Sequence, residues 1–322
     1  MRFTLVGTST VLVAAAFASG CATVDSDLEY RGSLSNMQTH GVVLFEDGET
    51  GHAAMMDTTC VIDPDGGVAE DVDVSDGEES VLDGTASSDD SHVLTRVKGE
   101  LHTITTQLDT SGWSMDVPQT AQVDVGDLDV IDARFTADKG MVVLGSCELK
   151  WLDSNNLVTQ AIQFDDVGCT GMDPTFDVDR ASGTAFVTID GAIQAITPDG
   201  ATLLAQGDLF EFSPDQGGLI VGSAGASVVS FVGVDGTTLW TTDLGLNVVD
   251  VADLGARGHM AVMVEAGESA GRMIELDATT GEITRQFDLP SPADMVISAN
   301  GRTIAMVLPN AVHYYNLRDA SL

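Results

Sequence analysis

Lysine is nearly absent from this chain. The 322 residues include 3 Lys and 10 Arg against 37 Asp and 13 Glu, which gives a formal net charge of −37 at pH 7. Because duplex nucleic acid is bound through Lys and Arg at its phosphates, the composition excludes it as a partner. An anionic lipid surface would also repel the protein. One interpretation of the excess Asp is a saline environment, where salt screens repulsion between carboxylates. The alternative is compositional drift in an exported protein.

Proline is scarce as well, with 8 residues against 34 Gly, and the sequence after its first 20 residues shows no amphipathic helical period. Hydrophobic residues make up 43% of the chain, so it can bury a sizeable core and is not disordered in bulk. Gly and Asp both favour tight turns. This composition predicts an all-β protein with many short connections.

Recognisable catalytic motifs are missing. The sequence contains no H-E-x-x-H, G-x-S-x-G or paired C-x-x-C. Residues 71–77 are similar to a calcium loop, but their Gly falls one place late and Leu82 stands where the final Glu is needed. His52, His92 and His259 share one position of an internal repeat, which indicates a structural role at a turn. We therefore expect no catalytic residue, no metal site and no cofactor, and the sequence favours a role other than catalysis.

The N-terminus has the pattern of an export signal. Met1 and Arg2 form a short basic start, and residues 3–17 are apolar and uncharged. Fifteen residues are too few to span a bilayer comfortably but suit a signal peptide. Residues 18–20 are small and are followed by Cys21.

Residues 18–21 resemble the lipobox of bacterial lipoproteins, in which the Cys becomes the lipid-bearing N-terminus. The resemblance implies lipid on Cys21, a signal peptide of residues 1–20 and a tether of residues 21–27. Ala22 is not the Asp that retains such proteins at the inner membrane, so the resemblance implies the outer membrane or cell surface. Two alternatives stay open: cleavage after Ala18, which would release a soluble secreted or periplasmic protein, and a retained helix.

From residue 28 onward the chain repeats itself at roughly 40–45 residues, a spacing typical of propeller blades. One marker, a turn followed by an apolar strand, occurs at residues 50–55, 90–94, 139–144, 182–187, 217–221, 257–262 and 300–305. A second marker, a strand ending in an Asp- and Gly-rich turn, occurs at residues 61–66, 108–112, 151–155, 196–200, 234–236 and 276–281.

The repeats predict an all-β, seven-bladed β-propeller of four-stranded blades over residues 28–322. The last repeat lacks its outer strand, and residues 28–34 form a strand that belongs to no other repeat. We expect this N-terminal strand to complete the last blade, because that closes the ring and removes an exposed sheet edge. Six or eight blades are the alternatives, since residues 118–127 are irregular.

Three stretches carry a family resemblance. Residues 273–283 and 292–302 resemble blades of YVTN-type propellers, and residues 234–240 resemble a quinoprotein-like (PQQ-like) blade, a style shared with WD40-like repeats. The resemblance implies the fold and says little about function. Quinone-dependent members repeat a Trp in every blade, whereas Trp113, Trp151 and Trp240 stand at different repeat positions here.

The predicted topology also predicts which way the molecule faces. The outer strand at residues 28–34 should begin at the bottom face, seven residues after Cys21, so a lipid would hold that face near the membrane. The top face should then carry the longest loops, which are our candidate binding surface. Its candidate residues are Asp76, Glu78, Glu79, Asp127, Asp165, Asp166, Asp173, Glu265 and Glu268. A cation held by Asp165, Asp166 and Asp173 is a weaker alternative.

The cysteines suggest one cross-link. Cys147 and Cys169 map to the top of adjacent blades, and an exported chain permits disulfides, so we predict a bridge between them. Two free thiols are the alternative. Cys60 is expected to be a buried free thiol, although an unlipidated Cys21 could in principle pair with it.

Three functions remain open. The first is a protein–protein interaction or scaffold module at the cell envelope, with a protein partner and membrane contact through the lipid only. A lipid-anchored, quinoprotein-like propeller that acts as a scaffold in outer-membrane protein assembly is similar in build. The second is a glycan or small-ligand binder, or a hydrolase or lyase; the third is a cation-dependent adhesive protein. Carboxylates and His converging at the top of the channel would favour the second, and apolar exposure on the top rim the first.

Overall fold

The computed structural model describes most of the chain after residue 27. The described residues are 28–35, 43–46, 53–57, 60–62, 68–71, 79–81, 92–97, 100–105, 119–164, 174–267, 269–298, 301–308 and 311–318. The predicted signal peptide, Cys21 and the tether lie outside these residues.

The described strands form seven antiparallel sheets of four strands each, which we number as blades 1 to 7. The N-terminal strand β1 is Leu28–Ser35. Blade 1 contains β2 Val43–Glu46, β3 Ala53–Asp57, β4 Cys60–Ile62 and β5 Val68–Asp71. Blade 2 contains β6 Glu79–Val81, β7 His92–Val97, β8 Glu100–Thr105 and β9 Gln119–Gln122. Blade 3 contains β10 Val130–Phe135, β11 Met141–Gly145, β12 Glu148–Leu152 and β13 Val158–Gln163.

The second half of the chain continues the pattern. Blade 4 contains β14 Phe176–Asp179, β15 Thr184–Ile189, β16 Ala192–Thr197 and β17 Gly200–Gln206. Blade 5 contains β18 Leu209–Ser213, β19 Gly218–Gly222, β20 Val228–Gly233 and β21 Thr238–Asp243. Blade 6 contains β22 Val248–Asp253, a turn of 3-10 helix at Gly255–Arg257, β23 His259–Glu265, β24 Gly271–Asp277 and β25 Ile283–Leu289. Blade 7 contains β26 Asp294–Ile297, β27 Thr303–Leu308 and β28 Ala311–Leu317, with β1 as its fourth strand.

The first strands of successive blades contact one another and form the inner wall of a ring. β10 contacts β14, β14 contacts β18, β18 contacts β22, β22 contacts β26, and β26 contacts β2. The predicted all-β propeller class is therefore confirmed. Each first strand runs from the face we call the top, which carries the connections between blades and between second and third strands, to the opposite, bottom face.

The N-terminal strand closes blade 7. β1 pairs antiparallel with β28 from Leu28–Leu317 to Ser35–Ala311, with a bulge between Tyr30 and Gly32. Arg318 Nη2 donates to Glu29 Oε2 at 2.6 Å beside the start of β1. This pairing satisfies the edge of β28 with the strand that the sequence analysis assigned to it.

The core lies between neighbouring blades and is built by the second strands. Every residue of β11 and of β19 is buried, whereas β13, an outer strand, is almost wholly exposed. Continuous apolar runs become inner strands packed on both faces, and alternating runs become outer strands, as their patterns predict. Fully burying a side chain such as Phe231 contributes about 1.5–3 kcal/mol.

Two tryptophans tie blades together. Trp151 Nε1–H in β12 donates to the Gly183 carbonyl in blade 4 at 2.7 Å, and Trp240 Nε1–H in β21 donates to the Ala278 carbonyl in blade 6 at 2.7 Å. One stands in a third strand and the other in a fourth. They therefore occupy different repeat positions and lock successive blades through their indole N–H groups.

Two predicted loops are shorter than expected. Glu79, a candidate residue of the top-face loops, begins β6, and residues 119–122 of the irregular 118–127 stretch form β9. Both errors have the same cause. Short outer or polar strands bury little apolar surface, so their sequence lacks the periodic signal that marks a strand.

Candidate functional site

An acidic residue recurs on the first strand of five consecutive blades. These residues are Asp132, Asp177, Glu211, Asp250 and Asp294, on β10, β14, β18, β22 and β26. Because first strands line the centre of a propeller, the row brings carboxylates of different blades toward one channel. Their charges act on each other: Asp177 and Asp250, from the two flanking blades, both raise the pKa of Glu211.

Asp177 and Asp250 are used to fasten neighbouring blades. Asp177 Oδ1 accepts the Val178 N–H at 2.7 Å, and its Oδ2 accepts the Phe212 N–H of blade 5 at 2.9 Å. Asp250 repeats the arrangement with its own Val251 at 2.8 Å and with Met295 of blade 7 at 2.6 Å. These carboxylates therefore clasp blade 4 to blade 5 and blade 6 to blade 7.

Glu211 lies between the two clasps and has a different environment. Its carboxylate makes no hydrogen bond to a described residue. Burial raises its pKa well above the ordinary value, the charges of Asp177 and Asp250 raise it further, and Arg134 lowers it. Glu211 is thus the member of the row that most readily holds a proton.

Arg134 supplies the positive charge beside the row. Its guanidinium bonds the Asp132 carboxylate, donates to the Phe176 carbonyl at 3.2 Å, and lies 5.5 Å from the centre of the Phe176 ring. The contact bridges β10 and β14. Burial raises the pKa of Asp177, and the charge of Arg134 offsets part of that increase.

A further carboxyl group stands at the bottom of the channel. Burial raises the pKa of Asp253, at the end of β22, to about 6, while the Gly255 N–H acts to lower it. The nearby charges of Asp215 and Asp177 add to the increase. Asp253 therefore titrates close to neutral pH.

The channel offers proton exchange and cation attraction. β10, β14, β18, β22 and β26 contain no His, so the His that would accompany these carboxylates in many hydrolytic sites is not on the strands that carry the row. Across the described part of the chain, no three His, Cys, Asp or Glu side chains are arranged to hold a metal ion.

The described top face is strongly acidic. Exposed carboxylates from the connections of blades 2 to 6 stand there: Asp124, Asp127, Asp129, Asp190, Asp208, Asp243 and Glu265. Among the predicted binding residues, Asp127 and Glu265 are on this face, and Glu265 accepts a bond from Asn247 Nδ2 at 2.9 Å. The remaining candidates, apart from Glu79 in β6, lie outside the described residues: Asp76, Glu78, Asp165, Asp166, Asp173 and Glu268.

Only one of the two cysteines in the predicted disulfide lies within the described residues. Cys147 is half-buried in the connection between β11 and β12, at the top face, and forms no disulfide with a described residue. Cys169 lies outside the described residues, so the bridge between the two stays a prediction. Cys60 begins β4, the third strand of blade 1, and its burial as a free thiol stays a prediction.

Exposed apolar side chains are concentrated away from the top face. Among the large ones in the described residues, only Val228 stands at the top end of a strand, and six stand at the bottom rim. The apolar exposure that would have marked a top-face protein interface is therefore found mainly at the opposite end of the blades.

His259 takes part in a buried ion cluster. It begins β23 and bonds the carboxylate of Glu275, which is fully buried and lies 2.6 Å from Arg285 Nη2. These three residues stand on β23, β24 and β25 and bind the strands of blade 6 to each other. His259 thus has a structural role, while His52 lies outside the described residues.

The acidic row was not among the residues predicted from the sequence. Its signal was present, since an acidic residue follows Ile131, Phe176, Phe210, Val249 and Ala293 once in each of the five repeats. Aligning the repeats on their first strands would have revealed it. An alignment of the repeats would not have predicted the role of each carboxylate, because Asp177 and Asp250 bond backbone N–H groups of the next blade.

Comparison with known proteins supports the architecture. One solved chain, from the Mitotic Checkpoint Complex, superposes with a TM-score of 0.62 at 12% identity and covers 98% of this chain and 100% of its own. The fold is a β-propeller. BBS1N, solved in complex with ARL6DN, gives a TM-score of 0.64 at 11% identity, with 92% of this chain and 98% of that chain covered. Virginiamycin B lyase from Staphylococcus aureus gives 0.62 at 13% identity, with 90% and 99% covered.

These likenesses are limited to the propeller fold. At 11–13% identity the neighbours share architecture with this chain and do not determine its chemistry. No protein-family model matches the sequence, and no curated protein does. Within the described propeller, no helix has the length and apolar character needed to cross a membrane.

Proposed function

We propose that this chain is an exported, lipid-anchored propeller that binds a protein partner of the cell envelope through its top face. The observation that carries the proposal is the set of exposed carboxylates on the top connections of consecutive blades, including Asp127, Asp208 and Glu265. A rigid ring presents these charges in fixed positions, which suits recognition of a basic protein surface. Two of the structural neighbours were solved within protein complexes, which agrees with such a role.

The proposed localisation rests on the N-terminal residues. Cys21 after the apolar stretch at residues 3–17 supports lipid attachment, and Ala22 supports the outer membrane or cell surface. The intact mass of the membrane-extracted protein tests this part. A chain that starts at Cys21 and carries acyl groups supports the anchor, whereas an unmodified chain that starts after Ala18 rejects it.

Photo-crosslinking in membranes tests the partner-binding face. A photoreactive residue at position 127 or 265, on the top face, should capture the same partner, and one at position 235, on the bottom face, should not. Added salt should weaken capture, because an interaction between opposite surface charges is screened. Equal capture from both faces, or capture that salt leaves unchanged, would reject the acidic top face as the binding surface.

One observation favours a second candidate, a ligand-binding or hydrolytic channel. Glu211 combines a raised pKa with a carboxylate that no described residue engages, a combination found in general acids. Thermal shift assays against a panel of glycans test this candidate. A ligand that stabilises the native protein and loses its effect with Glu211→Gln would support it, and a panel without hits would leave the interaction module as the better proposal.

A further inference from the structure

The exposed apolar side chains of the outer strands share one end of the blades. We define the apolar bottom rim as the set Tyr30, Leu157, Val158, Val234, Leu239 and Ile283. Each lies in the turn that precedes a fourth strand or within the first three residues of that strand. Fourth strands begin at the bottom face, so all six stand toward the bottom end of the blades. Leu203, also exposed, is the fourth residue of β17 and lies farther from that end. Leu157 is the most exposed of the six, at 63%.

The rim extends around the ring. Its members come from blades 3, 5, 6 and 7, which occupy different sides of the propeller axis. Points of contact on several sides define a plane, whereas a protein interface would usually gather apolar residues into one patch. The distribution therefore fits a flat apolar surface better than it fits the side of a globular partner.

The chain enters the propeller at this same rim. β1 begins at Leu28 and pairs antiparallel with β28, whose last residue Leu317 lies at the bottom face. Seven residues separate Cys21 from Leu28, and a fully extended chain of that length spans about 25 Å. A lipid on Cys21 would therefore keep the bottom face within about 25 Å of the bilayer.

We propose that the apolar bottom rim rests on the lipid surface and holds the propeller axis upright, with the acidic top face directed away from the membrane. This inference rests on the lipid anchor of the proposed function and adds direct protein–lipid contact to it. Because the anchor confines the domain to the surface, the local concentration of lipid is high and weak apolar contacts suffice.

The charge of the bottom turns determines which lipids fit. Backbone N–H groups bond the carboxylates of Asp153, Asp235 and Asp277 and lower their pKa, so these groups stay ionised beside the rim. Anionic headgroups would repel them. The surface that suits the rim is therefore zwitterionic.

Two valines of blade 5 provide a matched test. Val228 begins β20 at the top face and is 41% exposed, whereas Val234 directly follows β20 at the bottom rim and is 51% exposed. We would extract the lipidated Val228→Trp and Val234→Trp proteins and reconstitute each into phosphatidylcholine vesicles containing brominated lipid. Subtracting the emission of the unsubstituted protein isolates the added indole.

We expect the brominated lipid to quench the added tryptophan emission at position 234 and to leave the added emission at position 228 unchanged. Equal quenching at both sites, or stronger quenching at 228, would overturn the proposal. Replacing part of the lipid with phosphatidylglycerol should reduce quenching at 234, and an increase there would reject the zwitterionic surface. The intact mass of the same samples reports the anchor, so an unlipidated chain refutes the proposed function, whereas a lipidated chain without quenching at 234 refutes this inference alone.

Discussion

Replacing Asp253 by Asn should stabilise the propeller at neutral pH and leave its stability unchanged in acid. Burial raises the pKa of Asp253 from 3.8 to about 6, so the folded protein binds this proton more tightly than the unfolded chain does. The stability that the group contributes is complete below pH 3.8 and is lost as the pH rises through about 6. Above that pH the ionised carboxylate lies half-buried beside Asp215 and Asp177 at a cost.

The pKa difference sets the size of the effect. Two pH units correspond to about 3 kcal/mol, which is an upper limit because the side chain is half-buried and solvent reduces the penalty. Asn cannot ionise, but its amide oxygen can still accept from the Gly255 N–H. Asp253→Asn should therefore gain up to about 3 kcal/mol at pH 8 and nothing below pH 4.

Urea unfolding followed by tryptophan fluorescence, repeated from pH 4 to pH 8, measures this difference. Asp235→Asn is the control, since hydrogen bonds from Thr237 lower the pKa of Asp235 and reverse the sign: its contribution is present above pH 3.8 and lost in acid. The reasoning would be refuted if the free energies of unfolding of Asp253→Asn and the parent differed by the same amount at every pH. It would also be refuted if Asp253→Asn were less stable than the parent at pH 8.

Three further substitutions test the packing between blades, each by urea unfolding. Gly281→Ala should cost about 1–3 kcal/mol more than Gly191→Ala, because both glycines have φ +71° but a Cβ at 281 would lie 2.6 Å from Trp240 and one at 191 meets open space. Trp240→Phe should cost about 1–3 kcal/mol, since it leaves the buried Ala278 carbonyl without its donor. Asp177→Ala should cost about 1.5–3 kcal/mol by opening the clasp between blades 4 and 5, and a neutral result would show that the clasp does not hold them.

The fold could be predicted because its signals are local and repeated. Most second strands contain a continuous apolar run, as β11 and β19 do. The turns contain Asp whose carboxylates accept backbone N–H groups, as Asp153 does from Asn155 at 2.9 Å. Ring closure could be predicted too, since the last repeat lacks one strand and the N-terminal end has one strand that belongs to no other repeat. Both inferences use only the order of residues along the chain.

The distribution of surfaces could not be predicted in the same way. The row of channel carboxylates depends on which first strands are neighbours in the ring, and an isolated Asp in an apolar strand looks like an edge position. Apolar exposure at the top would have favoured an interaction module, whereas the exposed apolar side chains of the described residues lie mainly at the bottom. Outer strands alternate in sequence whichever end is exposed, so alternation alone does not indicate which end carries the apolar residues.

Side-chain length explains why Glu211 differs from its neighbours in the row. Asp132, Asp177 and Asp250 each accept the N–H of the following residue, a short ring that an Asp side chain can close. Glu is one methylene longer, and in blade 5 the corresponding Phe212 N–H is already bound by Asp177. The Glu211 carboxylate is therefore left without a backbone donor, between two carboxylates that fasten blades. Asp177 and Asp250 cannot turn toward a ligand without opening a blade contact, so Glu211 is the channel carboxylate that can change partner at the least cost to the fold.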